Sequence, residues 1–321
     1  MGPNTLIQVL QDERLLSGES ASSATLKLLT GGFWNKVYRL RTVDKLGLDW
    51  VVKQFVQVPV NPMFPILPEA EYAALQFLQG RACAPNPVAF ISDSPAGSLL
   101  VYEYIRGSSW DGGLAGAATL LARVHRIPVD AFARNAFRQL ATEPADLLGH
   151  AQRMLDCHAT AVSDSVRALF PSGTLQIKAP VGRPSLVHTD CGPGNMVSSP
   201  EGLRLIDWQC PGIGDGLQDV VTFLSPAMQI LYGYPVLTQE QERQFLQAYF
   251  TALDAPATNT PTVQARLACT RAAHHYRFAA YCAMRLQDTA GSDEKTSRLY
   301  SVALAAELQV LQQLHIQGQD A

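Results

Sequence analysis

The chain has 321 residues, a formal net charge of -3, 47% apolar residues and 17% charged ones. That length buries a sizeable core, as one large domain or two lobes, and the composition excludes a disordered polypeptide. So slight an acidity gives no electrostatic basis for binding nucleic acid or an anionic membrane.

The six cysteines (Cys83, Cys157, Cys191, Cys210, Cys269 and Cys282) form no C-x-x-C pair or metal-ligand cluster, which reads as reduced thiols. No apolar run reaches membrane-spanning length, and the N-terminus lacks a basic start followed by an apolar core. A soluble, cytoplasmic protein with no membrane or nucleic-acid partner is expected.

In chain order, Leu6, Val9 and Leu10 predict a short helix within 4–16, and 17–24 reads as a Ser/Gly-rich linker. From residue 25 the period changes. Leu26 and Leu28, a turn over 30–36 bearing Gly31-Gly32, and Val37 to Leu40 predict strand, turn and strand. Asp49 to Val56 is a further strand. A Pro-rich connection leads to a helix carrying Glu69, Glu71, Leu75 and Leu78, and two strands follow near 88–91 and 99–104. Beyond Gly107 the chain reads as mostly helical, with Leu114, Ala118, Leu121, Val124 and His125 at helix spacing before Pro128. Weaker helical patterns fill 130–175, and long helices are predicted over 239–253, 262–287 and 294–315.

Between these helices lies a stretch of different character. His188-x-Asp190-x4-Asn195 is followed by a short turn and an apolar strand ending in Asp207. A carboxylate, an amide five residues on and a second carboxylate at a strand end can together hold a divalent ion and a hydroxyl nucleophile around a nucleotide's phosphates. On this reading Asp190 accepts or orients the proton of a substrate hydroxyl, and Asn195 and Asp207 coordinate Mg²⁺. His188 braces the loop by hydrogen bonding. Cys191 reads as loop packing.

The stretch resembles the catalytic loop and metal-binding strand of the aminoglycoside phosphotransferase and choline-kinase-like family, small-molecule kinases with the protein-kinase fold. The family pattern is His-Gly-Asp-x4-Asn followed by Ile-Asp-Phe/Trp-Glu; this chain has Thr189 for the Gly, Cys191 for a bulky apolar residue and Gln209 for the Glu. The resemblance covers about 25–310. It implies an α+β, bilobal protein-kinase-like fold with a small antiparallel-sheet N-lobe and a larger, mainly helical C-lobe. The expected divisions are an N-terminal helix and linker (1–24), an N-lobe (25–105) and a C-lobe (106–321).

Further roles are implied by the resemblance. Gly31, Gly32 and Asn35 resemble a phosphate-approaching loop of the Gly-x-x-Asn-x-Val-Tyr kind. Lys53 then places its ammonium on the α- and β-phosphates of ATP, held by a carboxylate of the next helix. Glu71 is the candidate, with Leu75 and Leu78 at +4 and +7; Glu69 falls roughly 200° away on the helix wheel. Glu103, Tyr104 and Ile105 resemble the connector whose backbone meets the adenine edge. Gly214-Asp215 and Asp219 resemble Gly-Asp-Pro-x-x-Asp with Gly216 for Pro, and Asp219 braces the catalytic loop.

The acceptor is less defined. Arg266, Arg271, Arg277 and Arg285 fall within about 140° on a helix at 100° per residue, with no acid between 264 and 286. They read as a solvated basic face; the alternative is a pocket for an anionic or polyhydroxyl substrate. Both make polycationic antibiotics poor candidates. An aromatic cage for choline from Tyr232, Tyr234, Tyr276, Tyr281 and Trp208 is an alternative to these aromatics being core. The expected activity is ATP- and Mg²⁺-dependent phosphorylation of a small-molecule hydroxyl. The alternatives are a choline-, ethanolamine- or sugar-type kinase of the same fold, or a silent nucleotide-binding scaffold.

Overall fold

The structure, a computed structural model, describes residues 2–29, 35–56, 61–158, 160–170, 182–253, 261–289 and 293–319. The chain divides into two compact units, residues 1–108 with 197–210, and residues 109–196 with 211–321.

The first unit is built on a five-stranded sheet of order β1-β2-β3-β5-β4, antiparallel throughout. Its strands are β1 (Thr25–Leu28), β2 (Lys36–Arg41), β3 (Asp49–Gln54), β4 (Pro87–Ile91) and β5 (Leu99–Glu103). Period-two alternation gives β3 two different faces. Val52 packs with Leu6, Val9 and Leu10 of α1 (Pro3–Asp12), together with Tyr38, Leu40, Leu99 and Val101. Lys53 turns to the opposite face, towards α3 (Pro68–Leu78). Four consecutive residues of β3, Val51 to Gln54, are buried, so the sheet is covered on both sides there.

The expected linker over 17–24 is instead helical: α2 (Gly18–Ser23) starts where the Ser17 hydroxyl accepts from the Ser20 amide, with Glu19 in its first turn. Ser17, read as part of a Ser/Gly-rich linker, is a helix cap, and Glu19 supplies an acidic first turn.

The segment 197–210 is tied to the first unit by backbone hydrogen bonds, Leu205 N to Cys83 O at 2.8 Å and Leu67 N to Gln209 O at 2.9 Å. It holds most of β9 (Met196–Ser199) and all of β10 (Gly202–Leu205), in a small sheet of order β10-β9-β6 with β6 (Ser108–Ser109). Gly107 is required beside it, because a Cβ there would stand 2.2 Å from the Ser198 carbonyl oxygen.

The second unit is helical apart from a three-stranded sheet of order β7-β11-β8, comprising β7 (Arg138–Gln139), β8 (Pro184–Val187) and β11 (Gly212–Asp215). Its helices are α4 (Leu114–Arg126), α5 (Ala131–Ala136), α6 (Pro144–Asp156), α7 (Ala161–Arg167), α8 (Leu217–Leu224), α9 (Pro226–Leu231), α10 (Gln239–Ala252), α11 (Pro261–Asp288) and α12 (Glu294–Gln319). α11 packs against α6 and α12, and α10 against α4. The core holds Phe223 stacked on Phe245 at 4.6 Å, with Trp110 edge-on to Phe223. No helix among the described residues is long and apolar enough to cross a membrane.

Candidate active site

In the first unit, β3 and α3 bring a lysine and a glutamate together out of water. Lys53 Nζ donates to Glu71 Oε1 at 2.9 Å and Oε2 at 2.6 Å, and to Asp207 Oδ1 at 2.5 Å. Lys53 and Glu71 are 2% and 1% exposed, whereas the Asp207 side chain is 37% exposed. Burial opposes the ammonium charge, but Asp207 and Glu71 overcome it and hold Lys53 above its usual range. Burial also pushes Glu71 up to about 7 against the pull of Lys53, with Asp207 adding to the rise. One ammonium faces two carboxylates, so with all three ionised the surplus negative charge rests at Asp207, the exposed member.

Asp207 adopts φ 62, a left-handed conformation that Asp tolerates better than most residues. Beside it Gln209, 3% exposed, accepts from Asn35 Nδ2 at 3.4 Å. Asn35 Oδ1 is buried and has no partner among the described residues. Gly31 and Gly32 lie outside the described residues. In the connector, the Glu103 amide donates to Asn86 O and the Tyr104 amide to Asp49 O. Two of the three connector amides expected to face an adenine edge are therefore already engaged. The Tyr104 ring carries the Arg39 guanidinium 3.7 Å from its centroid, and Arg39 is held by Asp49 at 2.7 and 2.8 Å. A cleft of about 600 Å³ adjoins this connector, lined by Asp49, Trp50, Asn86, Glu103, Arg106 and Arg204 among others; Lys53, Glu71 and Asp207 do not line it.

In the second unit, β8 delivers His188 into a loop whose backbone is held by one acid. Asp219, on α8 and fully buried, accepts from the amides of His188 at Oδ2 and Thr189 at Oδ1, both at 2.8 Å. Burial alone would raise its carboxyl, but the His125 hydrogen bond and charge, with the His188 contribution, hold it below the usual carboxylate range. His125 Nε2 lies 3.1 Å from Asp219, and its Nδ1 lies 2.8 Å from the Tyr249 hydroxyl. Gly216 is where the imidazole passes, since a Cβ there would meet His125 Nδ1 at 2.6 Å. Thr189, at the family's glycine position, has φ 71. His188 is fully buried, and its Nδ1 accepts from the Asp190 amide at 3.2 Å.

Asp190 is 8% exposed and Asn195 6%. Asn195 Nδ2 donates to the Asp190 backbone carbonyl and to the Tyr232 hydroxyl, each at 2.8 Å, and that hydroxyl donates to Asp190 Oδ1 at 2.7 Å. Cys191 is buried with its thiol pushed well up by burial, as expected of a packing residue rather than a reactive one. Sequence reasoning missed two residues here. His125 sits in an apolar helical stripe, and a tyrosine at a short helix's end gives no sign of its partner.

The expectation of a solvated basic face on α11 is overturned. Arg266 pairs with Asp215 at 2.6 Å, Arg271 with Glu242 at 2.8 Å and Arg285 with Asp288 at 3.1 Å. Arg277 donates towards His150 and His274 at 3.1 and 3.4 Å, and burial lowers it to about 10. Asp215 and Glu242 come from β11 and α10, so the absence of acids between 264 and 286 concealed them. Of the five aromatics of the alternative choline cage, Trp208, Tyr276 and Tyr281 are at most 3% exposed and closed into cores, whereas Tyr232 and Tyr234 are half-buried.

A sheet-borne lysine paired to a helix glutamate, in a chain whose other unit is helical and carries the His-x-Asp-x4-Asn loop, defines a protein-kinase-like fold. The phosphotransferase enzyme family (APH) matches residues 25–265, and the chain belongs to it. The match makes it a phosphotransferase-family enzyme. No curated protein matches the chain.

Among solved structures it is similar to an ethanolamine kinase from Plasmodium vivax, with 12% identity, 96% of this chain and 90% of that one covered, and a TM-score of 0.68. It is also similar to a choline/ethanolamine kinase family protein from Mesorhizobium loti (17% identity, 98% and 97% covered, TM-score 0.65). A third is an amicoumacin kinase in complex with AMP-PNP and Ca²⁺ (17% identity, 95% and 92% covered, TM-score 0.61). At these identities the likeness shows the fold.

Proposed function

We propose that the protein transfers the γ-phosphoryl group of ATP, with Mg²⁺, to a hydroxyl of a small molecule. The observation that carries this reading is the buried Lys53–Glu71 pair with Asp207 on its exposed side. An ammonium fixed by a carboxylate that cannot reach water is a preorganised donor for phosphate oxygens. The amicoumacin kinase structure, holding AMP-PNP and Ca²⁺, supports nucleotide and divalent-cation use in this fold.

The donor set suits Mg²⁺, which prefers one or two protein oxygens and completes its shell with phosphates and water. Asp207 offers a carboxylate whose side chain is 37% exposed. Asn195 has both amide protons engaged, so its Oδ1 is the atom left to meet a cation. When bound, the metal neutralises charge on the β- and γ-phosphates. No group of three or more His, Cys, Asp or Glu side chains that could hold a metal occurs among the described residues.

Asp190 receives the proton as the acceptor oxygen forms its bond to the γ-phosphorus and the bond to the β–γ bridging oxygen breaks, releasing ADP. His188 and Asp219 hold the loop that presents Asp190. Asn35 adjoins the phosphate loop assigned to Gly31 and Gly32. At the connector, Ile105 N–H serves the adenine edge, with carbonyls of 103–105 as acceptors. Residues 1–108 with 197–210 serve as the nucleotide-binding lobe and 109–196 with 211–321 as the lobe carrying Asp190 and Asn195, so 197–210 falls outside the lobe expected over 106–321. Phosphate transfer from ATP tested across alcohols, amino alcohols, sugars and antibiotics decides the matter. Turnover with one class is expected, and tight ATP binding with none would favour a scaffold.

A further inference from the structure

We propose that Tyr232 is a positioning residue whose hydroxyl locks the Asp190 carboxylate and the Asn195 amide into one directed hydrogen-bond chain. The inference rests on the roles proposed above for those two residues.

The direction of every bond is set by chemistry. A backbone carbonyl only accepts, so the Asn195 atom facing the Asp190 carbonyl is its NH₂. The second amide proton goes to the Tyr232 oxygen, and the phenol's own proton goes to Asp190 Oδ1. Asn195 Oδ1 is thereby turned away from both partners, and the Asp190 side chain is held by a donor other than the acceptor substrate. Neither group can rotate without breaking a bond in a largely buried site.

The loop is built around the ring. A Cβ on Gly192 would lie 2.2 Å from Tyr232 Cε2, and one on Gly194 2.1 Å from Cδ1. Neither glycine has a positive φ, so the reason for glycine at both positions is the aromatic ring and not the backbone conformation. Tyr232 is anchored from behind. It follows α9, where its amide donates to Met228 O and Tyr234 N to Gln229 O. The start of α9 is pinned by Glu307 of α12, which accepts from Ser225 Oγ and from the Ala227 amide at 3.1 Å. Glu307 is fully buried and bonded to His275 Nδ1 at 2.7 Å. The phenol is thus carried on a rigid support, as a group that orients a reacting side chain must be.

Mn²⁺·AMP-PNP binding to the full chain, followed by electron paramagnetic resonance, tests this without an acceptor. Y232F keeps the ring and removes the hydroxyl; it should weaken Mn²⁺·AMP-PNP by about 10-fold while leaving the melting temperature near that of wild type. N195A, the control for the reading beneath, should weaken it at least as much. Y232F binding like wild type while N195A is impaired would overturn the role of Tyr232 alone. No effect of N195A, or no binding by wild type, would overturn the metal assignment and this inference with it. If Y232F does not fold, a crystal structure of the wild type with Mn²⁺·AMP-PNP decides. The phenol should still bridge Asp190 and Asn195, and its displacement would overturn the proposal.

Discussion

Lys53 Nζ stands 2.5 Å from Asp207 Oδ1 while still gripping both oxygens of Glu71. One ammonium therefore restrains the acid proposed to meet the metal and is itself fixed from inside the sheet. Lys53→Met should break this arrangement unevenly with pH. Removing one partner of a buried pair costs about 3–5 kcal/mol. Without the ammonium, Glu71, already pushed up to about 7, takes a proton more readily. A carboxyl whose folded value lies above its unfolded value stabilises the fold at low pH and loses that contribution as pH rises. Urea unfolding should thus show a larger deficit for Lys53→Met at pH 8 than at pH 6; equal deficits would contradict a buried Glu71 poised to titrate.

Thr189 holds φ 71 with a β-branched side chain, a conformation costing about 1–2 kcal/mol in an L-residue. Its amide bond to Asp219 over-determines the position. Thr189→Gly should therefore stabilise the protein, by up to about 1 kcal/mol after the added chain entropy of glycine, and raise the melting temperature by about 2 °C. A loss of stability, as at an ordinary site, would show that the strain is relieved elsewhere.

Asp219→Asn should test the brace. In one orientation or the other, the amide would set an N–H against the amide of His188 or Thr189, at a cost of about 1–3 kcal/mol. The sign with pH is opposite to that of Glu71. The Asp219 carboxyl is held below its usual range, so its contribution is present above the unfolded carboxylate value and is lost as pH falls through the folded one. Acid unfolding should bring wild type towards Asp219→Asn below about pH 4. A gap that stays constant down to pH 2 would mean that the charge of Asp219 is not what holds the loop.

How much of this was legible in the chain depended on sequence distance. Lys53 and Glu71 could be paired because an alternating strand and the Leu75/Leu78 stripe fix which way each points. The Asp190, Asn195 and Asp207 set was visible as spacing, and Asp219 through its Gly-Asp neighbours. His125 was not, because a histidine inside an apolar helical stripe looks like packing until Asp219, 94 residues away, is seen beside it. Tyr232 was hidden for the same reason, 42 residues from Asp190. The arginines of α11 were misread because Asp215 and Glu242 lie on other elements. α2 escaped because six Ser-, Ala- and Gly-rich residues have too little periodicity to register.

Asp207→Ala should abolish Mg²⁺-dependent tightening of nucleotide binding, while Asp190→Ala should leave nucleotide affinity within a few-fold. The pair separates a metal ligand from a proton acceptor in one titration. Equal losses in both variants would erase the distinction.

The most direct measurement is transfer of label from γ-labelled ATP to a hydroxyl compound by the wild type and by Asp190→Ala at matched nucleotide saturation. A phosphate ester should form with the wild type and fall to background with Asp190→Ala. Transfer by Asp190→Ala at the wild-type rate would contradict the assignment of Asp190 as the residue that receives the proton.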